Sequence, residues 1–323
     1  MALLGSIFLV SRDVPFGELP EHLDKVWFDT KLLKVKRYNF SQNKETFFNI
    51  RLPLSSAYLL ISHGSRDPRP QQALEALAEL IRTKLGTQAA TWMPTENADR
   101  FFPLPGGEGT TTPAIVVNSA WYPLVGTATL ELADLPLHEQ IRQFASVALA
   151  QSCTQLELLP LFLLPGVHVM EDIPTEVALA TASLGQVLVV KGRSHLGAHP
   201  GLRKMLANQL AKVDADAKIL ISHGTRRVGG NAPIEAVADE LGAMVAYWSV
   251  MPTLESQIKA LADAGHKKIA ILPYFLFSGG ITDAIAQLVA RLQNQFFELD
   301  LSLCNPIGVS SELADLIIDL IEK

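Results

Sequence analysis

YLLISHGSR (58–66) and KILISHGTR (218–226) are two versions of one segment, and together they decide how this 323-residue chain folds. Each is an apolar run rich in leucine and isoleucine that stops at a polar Ser-His-Gly-Ser/Thr-Arg turn. Beyond each turn the apolar residues take helical spacing: Leu74, Leu77, Ile81 and Leu85 in the first, Ile234, Val237 and Leu241 in the second. Farther out, LELLPLFLLPG (156–166) answers KIAILPYFLFSGG (268–280), and VLVVKGRSHLGAHPGLRKML (187–206) answers LSLCNPIGVSSELADLI (301–317). Matched segments in one order identify an internal duplication.

Strands that alternate with helices and read as continuous apolar runs form parallel sheets covered on both faces. The expected fold class is therefore α/β, with two similar lobes, each a parallel sheet flanked by helices. Ligands of such sheets bind at the carboxyl ends of the strands. Both ISHG turns fall there, which predicts two halves facing each other across a cleft.

Outside the repeat, residues 1–50 carry alternating apolar and basic segments such as KLLKVKRYNF (31–40) and read as an N-terminal extension packed on the first domain. The first lobe is expected at 51–206, bearing the active site, and a degenerate second lobe at 207–323. Residues 87–122, with TENADR and PLPGGEGTTTP, interrupt the first copy as an insertion. Their composition fits a lid, an oligomer contact or a disordered stretch equally.

A net charge of -6 argues against a phosphate-binding nucleic-acid surface. Cys153 and Cys304 form no CxxC pair, which speaks against a disulfide framework or a structural zinc site and fits a reducing compartment. The apolar N-terminal run has no basic segment before it and no cleavage site. No stretch approaches the roughly 18–20 apolar residues of a spanning helix. The expectation is a cytoplasmic protein with neither nucleic acid nor membrane as partner. Composition selects no oligomeric partner.

Three polar residues of the first copy should meet at the strand ends. His63 ends the first strand, Glu131 sits in GTATLELADLPL (126–137), and His168 follows the third strand in PLFLLPGVHVMEDIP (160–174). In the second copy His223 matches His63. Aligning DLPLHEQI (134–141) with MPTLESQI (251–258) sets Trp248 opposite Glu131, and aligning the third strands sets Ile281 opposite His168. A structural residue should persist in both halves, whereas a duplicated active site has to persist only once. The asymmetry therefore puts function in the N-terminal half. Two imidazoles and a carboxylate suit a borderline divalent ion such as Fe2+, Co2+, Ni2+ or Zn2+, and the same groups serve as bases near neutral pH.

At these residues the sequence resembles the sirohydrochlorin chelatases of the CbiX/SirB type. The likeness lies in ISHGSRDPR (61–69), LELADLPLHEQI (130–141), LPLFLLPGVHVMEDIP (159–174) and LGAHPGL (196–202), and recurs more weakly through the second half. The resemblance implies a two-lobed chelatase fold on one chain. It also implies ATP-independent insertion of Co2+ or Fe2+ into sirohydrochlorin, in cobalamin or sirohaem biosynthesis. The metal would be a substrate, and no organic cofactor is implied. The chain has no G-x-x-x-x-G-K-[ST] loop, in keeping with independence from ATP.

By the same resemblance His63 and His168 contact the metal, His63 accepts a pyrrole proton, and Glu131 assists metal approach or proton removal. Leu163, Leu164, Pro165, Gly166 and Val167 would lie along the macrocycle. Ser65, Arg66, Lys191 and Arg193 are candidates for its carboxylates, with Arg66 equally readable as a structural salt-bridge residue. His195 and His199 are expected to be structural or to sit at the substrate's edge. His22, His138 and His266 are expected at the surface. The competing reading is a tetrapyrrole or metal carrier that binds without turnover. A phosphohistidine-type phosphatase fits poorly, because Ser62 stands where a phosphate-binding arginine would be needed.

Overall fold

Alternate residues of the first repeat strand face opposite ways and are buried on both sides, Tyr58 and Leu60 toward one core, Ala57, Leu59 and Ile61 toward another. A strand of this kind has to be central in a sheet with helices on both faces. In the computed structural model this strand, β4 (Ser56–Ser62), is such a strand. The structure describes residues 26–29, 32–39, 44–50, 56–92, 123–185 and 188–322, with side chains from residue 56 onward and, in the first helix, as far as Gly86.

Residues 1–55 and 56–323 form separate units. In the first, β1 (Val26–Asp29), β2 (Leu32–Asn39) and β3 (Lys44–Ile50) make an antiparallel meander in that order. In the second, β4 is followed by α1 (Pro68–Trp92), β5 (Leu124–Thr129), α2 (Leu137–Ala150), β6 (Gln155–Pro160), α3 (Ile173–Leu184), β7 (Val189–Gly192) and α4 (Pro200–Leu210). The pattern then repeats as β8 (Ala217–Ser222), α5 (Ala232–Leu241), β9 (Met244–Tyr247), α6 (Leu254–Asp263), β10 (Lys268–Pro273), α7 (Gly280–Gln295), β11 (Asp300–Leu303) and α8 (Ser311–Glu322). The two parallel sheets have the same order, β5-β4-β6-β7 and β9-β8-β10-β11. The expected duplicated α/β fold is thus observed, strand for strand.

The lobes are joined by a shared core. One continuous core holds the inner faces of both sheets together with the apolar faces of α1, α4, α5 and α8. Separate outer cores lie under α2 and α3 in the first lobe and under α6 and α7 in the second. Helices with one apolar stripe cannot leave it in water, and packing all four between the sheets buries every stripe at once. The carboxyl-end loops are left at the junction between the lobes. There the Tyr274 hydroxyl donates to the Leu163 carbonyl at 3.1 Å.

Helix α1 continues through TQAATW (87–92), residues expected to open the insertion. Glutamine and alanine are good helix formers, so Gly86 does not end it. The rest of that segment, 93–122, lies outside the described residues, as does His22. Among the described residues no helix is long and apolar enough to cross a membrane.

Candidate metal centre

The site begins with a glycine. After Ser62 the chain turns at Gly64, whose φ of 100° lies in the region that glycine enters without steric penalty. A Cβ there would stand 2.0 Å from the Glu131 carbonyl oxygen. With no side chain in the way, the loop after β5 closes on the loop after β4. The Leu130 and Glu131 amides donate to the Ser62 and His63 carbonyls, both at 2.9 Å. His63 and Glu131 therefore project side by side, with Nε2 of His63 3.9 Å from Oε2 of Glu131, each about half exposed.

His168 comes from the third strand end. Between β6 and α3 the backbone makes a wide π-turn, His168–Asp172. Its cause is visible in the repeat. The first inward residue of α3, Ile173, lies thirteen residues beyond Pro160, whereas its counterpart Ile285 in α7 lies twelve beyond Pro273. A π-turn absorbs one extra residue without disturbing the helix that follows, and such turns concentrate at functional sites. It brings the His168 ring edge-on to that of His63, with centroids 4.7 Å apart at 86°. Phe162 packs beside both rings, at 6.3 and 6.1 Å.

One ligand atom each from His63, Glu131 and His168 falls within 4.8 Å of the others. Bonds of ~2.0–2.2 Å to a common ion would set such atoms roughly 3–3.5 Å apart. Small rotations of half-exposed side chains supply the difference. The site is close to coordinating geometry and open to solvent on one side.

The imidazoles are held differently. Nδ1 of His168 lies 2.7 Å from Oδ2 of Asp172, which places its proton on Nδ1 and leaves the Nε2 lone pair for a metal. His63 has a long 3.4 Å contact from Nδ1 to the Gly64 carbonyl and a 3.9 Å approach of Nε2 to Glu131, so neither of its nitrogens is held in a close hydrogen bond. Asp172 was not singled out from sequence. The signal was a carboxylate four residues after a histidine at a helix start. Asp172→Ala is expected to weaken Co2+ binding about 10–100-fold by freeing the His168 ring, as titration calorimetry would read.

The second lobe corrects one sequence alignment. The Trp248 amide bonds the Ser222 carbonyl and the Ser249 amide bonds the His223 carbonyl. This is the pattern of Leu130 and Glu131, so Ser249, not Trp248, stands opposite Glu131. Seven residues separate β5 from α2 but six separate β9 from α6. The missing residue falls between the strand end and the helix motif used for alignment. The carboxylate is lost all the same, replaced by a hydroxyl that bonds the His223 carbonyl at 2.8 Å. The register of β10 leaves Ile281 opposite His168.

Other expected residues divide clearly. Ser65 is exposed, its hydroxyl accepting from the Asp67 amide at 3.0 Å. Arg66 is exposed and forms no ion pair among the described residues, so the structural salt bridge considered for it is absent. Leu163 and Leu164 are half-buried against the shared core, whereas Pro165, Gly166 and Val167 are exposed. Lys191 is exposed. Arg193 is not free for a ligand: its Nε lies 2.6 Å from Oε2 of Glu157, which is 1% exposed. His199 is structural. Its Nδ1 caps α4 by accepting from the Gly201 amide at 3.0 Å, and its Nε2 meets Asp319 at 2.6 Å. His195 is half-buried, and desolvation lowers its pKa. His138 is not simply at the surface, since it is half-buried and joins α2 to Glu176 of α3 at 2.8 Å. His266 lies 3.4 Å from Asp216.

Gly197 also escaped notice. A Cβ on it would lie 1.8 Å from the Leu163 carbonyl oxygen, and its amide donates to the Phe162 carbonyl at 2.9 Å. The chain after β7 thus braces the loop that leads to His168. Gly197→Ala is expected to destabilise the fold by about 1–3 kcal/mol through overpacking, read as a lowered urea midpoint. Gly166→Ala should leave the midpoint unchanged, because nothing lies within 4 Å of a Cβ there.

Comparison with known proteins places the chain in a family. A sirohydrochlorin cobaltochelatase of Priestia megaterium is 22% identical over 216 residues, covering 62% of this chain and 69% of that protein. A sirohydrochlorin ferrochelatase of the same organism is 23% identical over 208 residues, covering 60% and 76%. SirB from Bacillus subtilis with Fe3+ superposes with a TM-score of 0.59 at 20% identity, over 83% of this chain and 94% of that one. SirB from Bacillus subtilis subspecies spizizenii in complex with cobalt gives 0.56 at 18% identity, with the same coverage. These two likenesses establish a common fold. The CbiX family model matches residues 114–213 and again 217–323. His63 precedes the first match, and its equivalence to His223, inside the second, ties it to the same repeat. With most of its length matched, once in each lobe, the chain belongs to the CbiX family.

Proposed function

We propose that the protein inserts a divalent metal ion, Co2+ or Fe2+, into sirohydrochlorin without ATP, using the strand-end cluster of the first lobe, within residues 51–206. The observation that carries this reading is the convergence of His63, Glu131 and His168 from three strand ends in a chain of the CbiX family. The names of the two Priestia megaterium relatives support the substrate and both metals.

Insertion replaces two pyrrole N–H bonds by bonds to the metal, so two protons must leave as the ion enters. The residues divide that work according to how they are held. His168, fixed through Asp172, presents one lone pair and holds the incoming ion. His63, uncommitted at both nitrogens, can bind the ion or accept a pyrrole proton and pass it to solvent. Glu131 adds a negative charge that draws in the cation and offers a second proton acceptor. A half-exposed cluster of three ligands with incomplete closure suits an ion that has to leave again. Exposed Pro165, Gly166 and Val167 would run along the macrocycle, with Leu163 and Leu164 anchoring that loop in the core and Ser65 and Arg66 beside His63 meeting its carboxylates. The second lobe, 207–323, keeps only His223 and is catalytically silent.

The test is anaerobic metal insertion followed by absorbance, with Co2+ and Fe2+ compared against the spontaneous reaction. Acceleration with either ion supports a chelatase and ranks its metals. Tight binding of the macrocycle with no metallated product would instead identify a carrier. Two buried, unpaired cysteines fit a cytoplasmic location, which we also propose.

A further inference from the structure

Internal duplication gives the molecule an approximate twofold axis between its lobes. Helix α1 packs on α8 and α5 on α4. An ion pair ties each of these contacts, Lys84 to Asp315 at 2.7 Å and Arg203 to Glu240 at 3.1 Å. The same operation carries the loop between β4 and α1 onto the loop between β8 and α5, and the start of α7 onto the His168–Asp172 turn.

One member of this pair of junctions is locked. Arg69, at the start of α1, lies 2.6 Å from Asp283 at the start of α7 and 2.5 Å from Asp67. Its hydrogen bonds hold the Asp67 carboxyl down to about 2, so the latch stays charged at any working pH. Gly279, just before Ile281, faces Pro70 across the same junction. The mouth of the degenerate site is thereby bridged, and its guanidinium is neutralised twice.

By the same twofold relation the loop between β8 and α5 is turned toward the His168–Asp172 side of the metal centre, and its charges are arranged differently. The second-lobe loop reads HGTRRVGG (223–230), with tandem arginines where the first lobe has Arg66 and Asp67. Arg226 and Arg227 are exposed and form no ion pair among the described residues. Their loop is nevertheless stiff, because Asn231 accepts from the Thr225 amide and donates to its carbonyl, both at 3.0 Å. Two guanidiniums on a braced loop that the repeat symmetry turns toward a cluster that is to hold a polycarboxylated ring suit bidentate carboxylate recognition.

We propose that Arg226 and Arg227 of the silent second lobe bind carboxylates on the rim of the macrocycle held over His63, Glu131 and His168. This rests on the chelatase reading and assigns the second lobe a role in it. The lobe that lost its metal ligands supplies substrate affinity to the site that kept them.

The test is the double variant Arg226→Gln/Arg227→Gln in the full chain, with sirohydrochlorin as ligand. Loss of charged hydrogen bonds at two sites should raise its Kd and KM roughly tenfold or more, with kcat changed about twofold or less. Binding of Co2+ alone should be unchanged, Arg226→Lys/Arg227→Lys should recover part of the affinity, and the difference from wild type should shrink in high salt. An unchanged Kd in the Gln variant, beside a wild type that binds and metallates, overturns this inference and leaves the chelatase reading standing. Loss of Co2+ binding along with the macrocycle also overturns it, since that would mean collapse of the centre. A wild type that neither binds nor metallates sirohydrochlorin fails the chelatase reading itself and takes this inference with it.

Discussion

His63→Ala is expected to lower the rate of metal insertion about 10²–10⁴-fold, toward the spontaneous rate, while His223→Ala leaves it unchanged. The two histidines are equivalent in the repeat, each following a central strand and each followed by a glycine with positive φ. They differ in their company. His63 has Glu131 and His168 within reach, whereas His223 has Ser249 and Ile281. A general effect of removing a strand-end histidine, on folding or on the following turn, would appear in both variants. A chemical effect appears in one. His63 is about half exposed and its polar contacts are long, 3.4 Å to the Gly64 carbonyl and 3.9 Å to Glu131, so its removal should leave the unfolding midpoint close to wild type. Anaerobic rates and urea midpoints for both variants would decide it. Equal rates in the two would remove the first lobe's claim to the chemistry.

The second large effect is on stability. Arg193→Met is expected to destabilise the protein by about 3–5 kcal/mol, because it leaves the Glu157 carboxylate buried without its partner. Glu157 sits mid-strand in β6 with 1% exposure, bonded to Arg193 across the 2.6 Å contact and also to Gln155. A cation reaching in from the chain after β7 is what makes a carboxylate tolerable there. The diagnostic is the double variant Glu157→Leu/Arg193→Met. Removing both charges should recover most of the loss, since the cost lies in the unpaired ion and not in the absent pair. Insertion kinetics of the surviving fold should be near wild type, which separates this arginine from those proposed to meet the substrate.

The strands and helices were legible because the chain states them twice. β4 and β8 both end in Leu-Ile-Ser before the histidine, and the buried positions of α1 and α5 keep one spacing. The three-residue cluster was legible because only one copy retains it. What sequence concealed were single-residue differences in length and contacts between distant segments. The loop after β9 is one residue short, which moved the counterpart of Glu131 from Trp248 to Ser249. The π-turn at His168 is one residue long, which hid Asp172 as the partner of that ring. Pairing of Arg193 with Glu157, and of Gly197 with Leu163, depends on neighbouring strand ends rather than on any local pattern. Four helices sharing one core between the sheets follow from how amphipathic stripes close on one another. No single helix reveals that.

The wide turn at His168 also limits what later change in this gene could achieve. Its extra residue has no counterpart in the second lobe, where the loop after β9 is also one residue shorter than its equivalent. Converting Ser249 to glutamate and Ile281 to histidine would restore the lost ligand types but not the carboxylate that orients the third, since Ile285 stands four residues after Ile281 where His168 has Asp172. Restoring a second centre would therefore need a partner for the new imidazole as well as the two ligands. The two halves have thus diverged in the support of their ligand positions as well as in the ligands themselves.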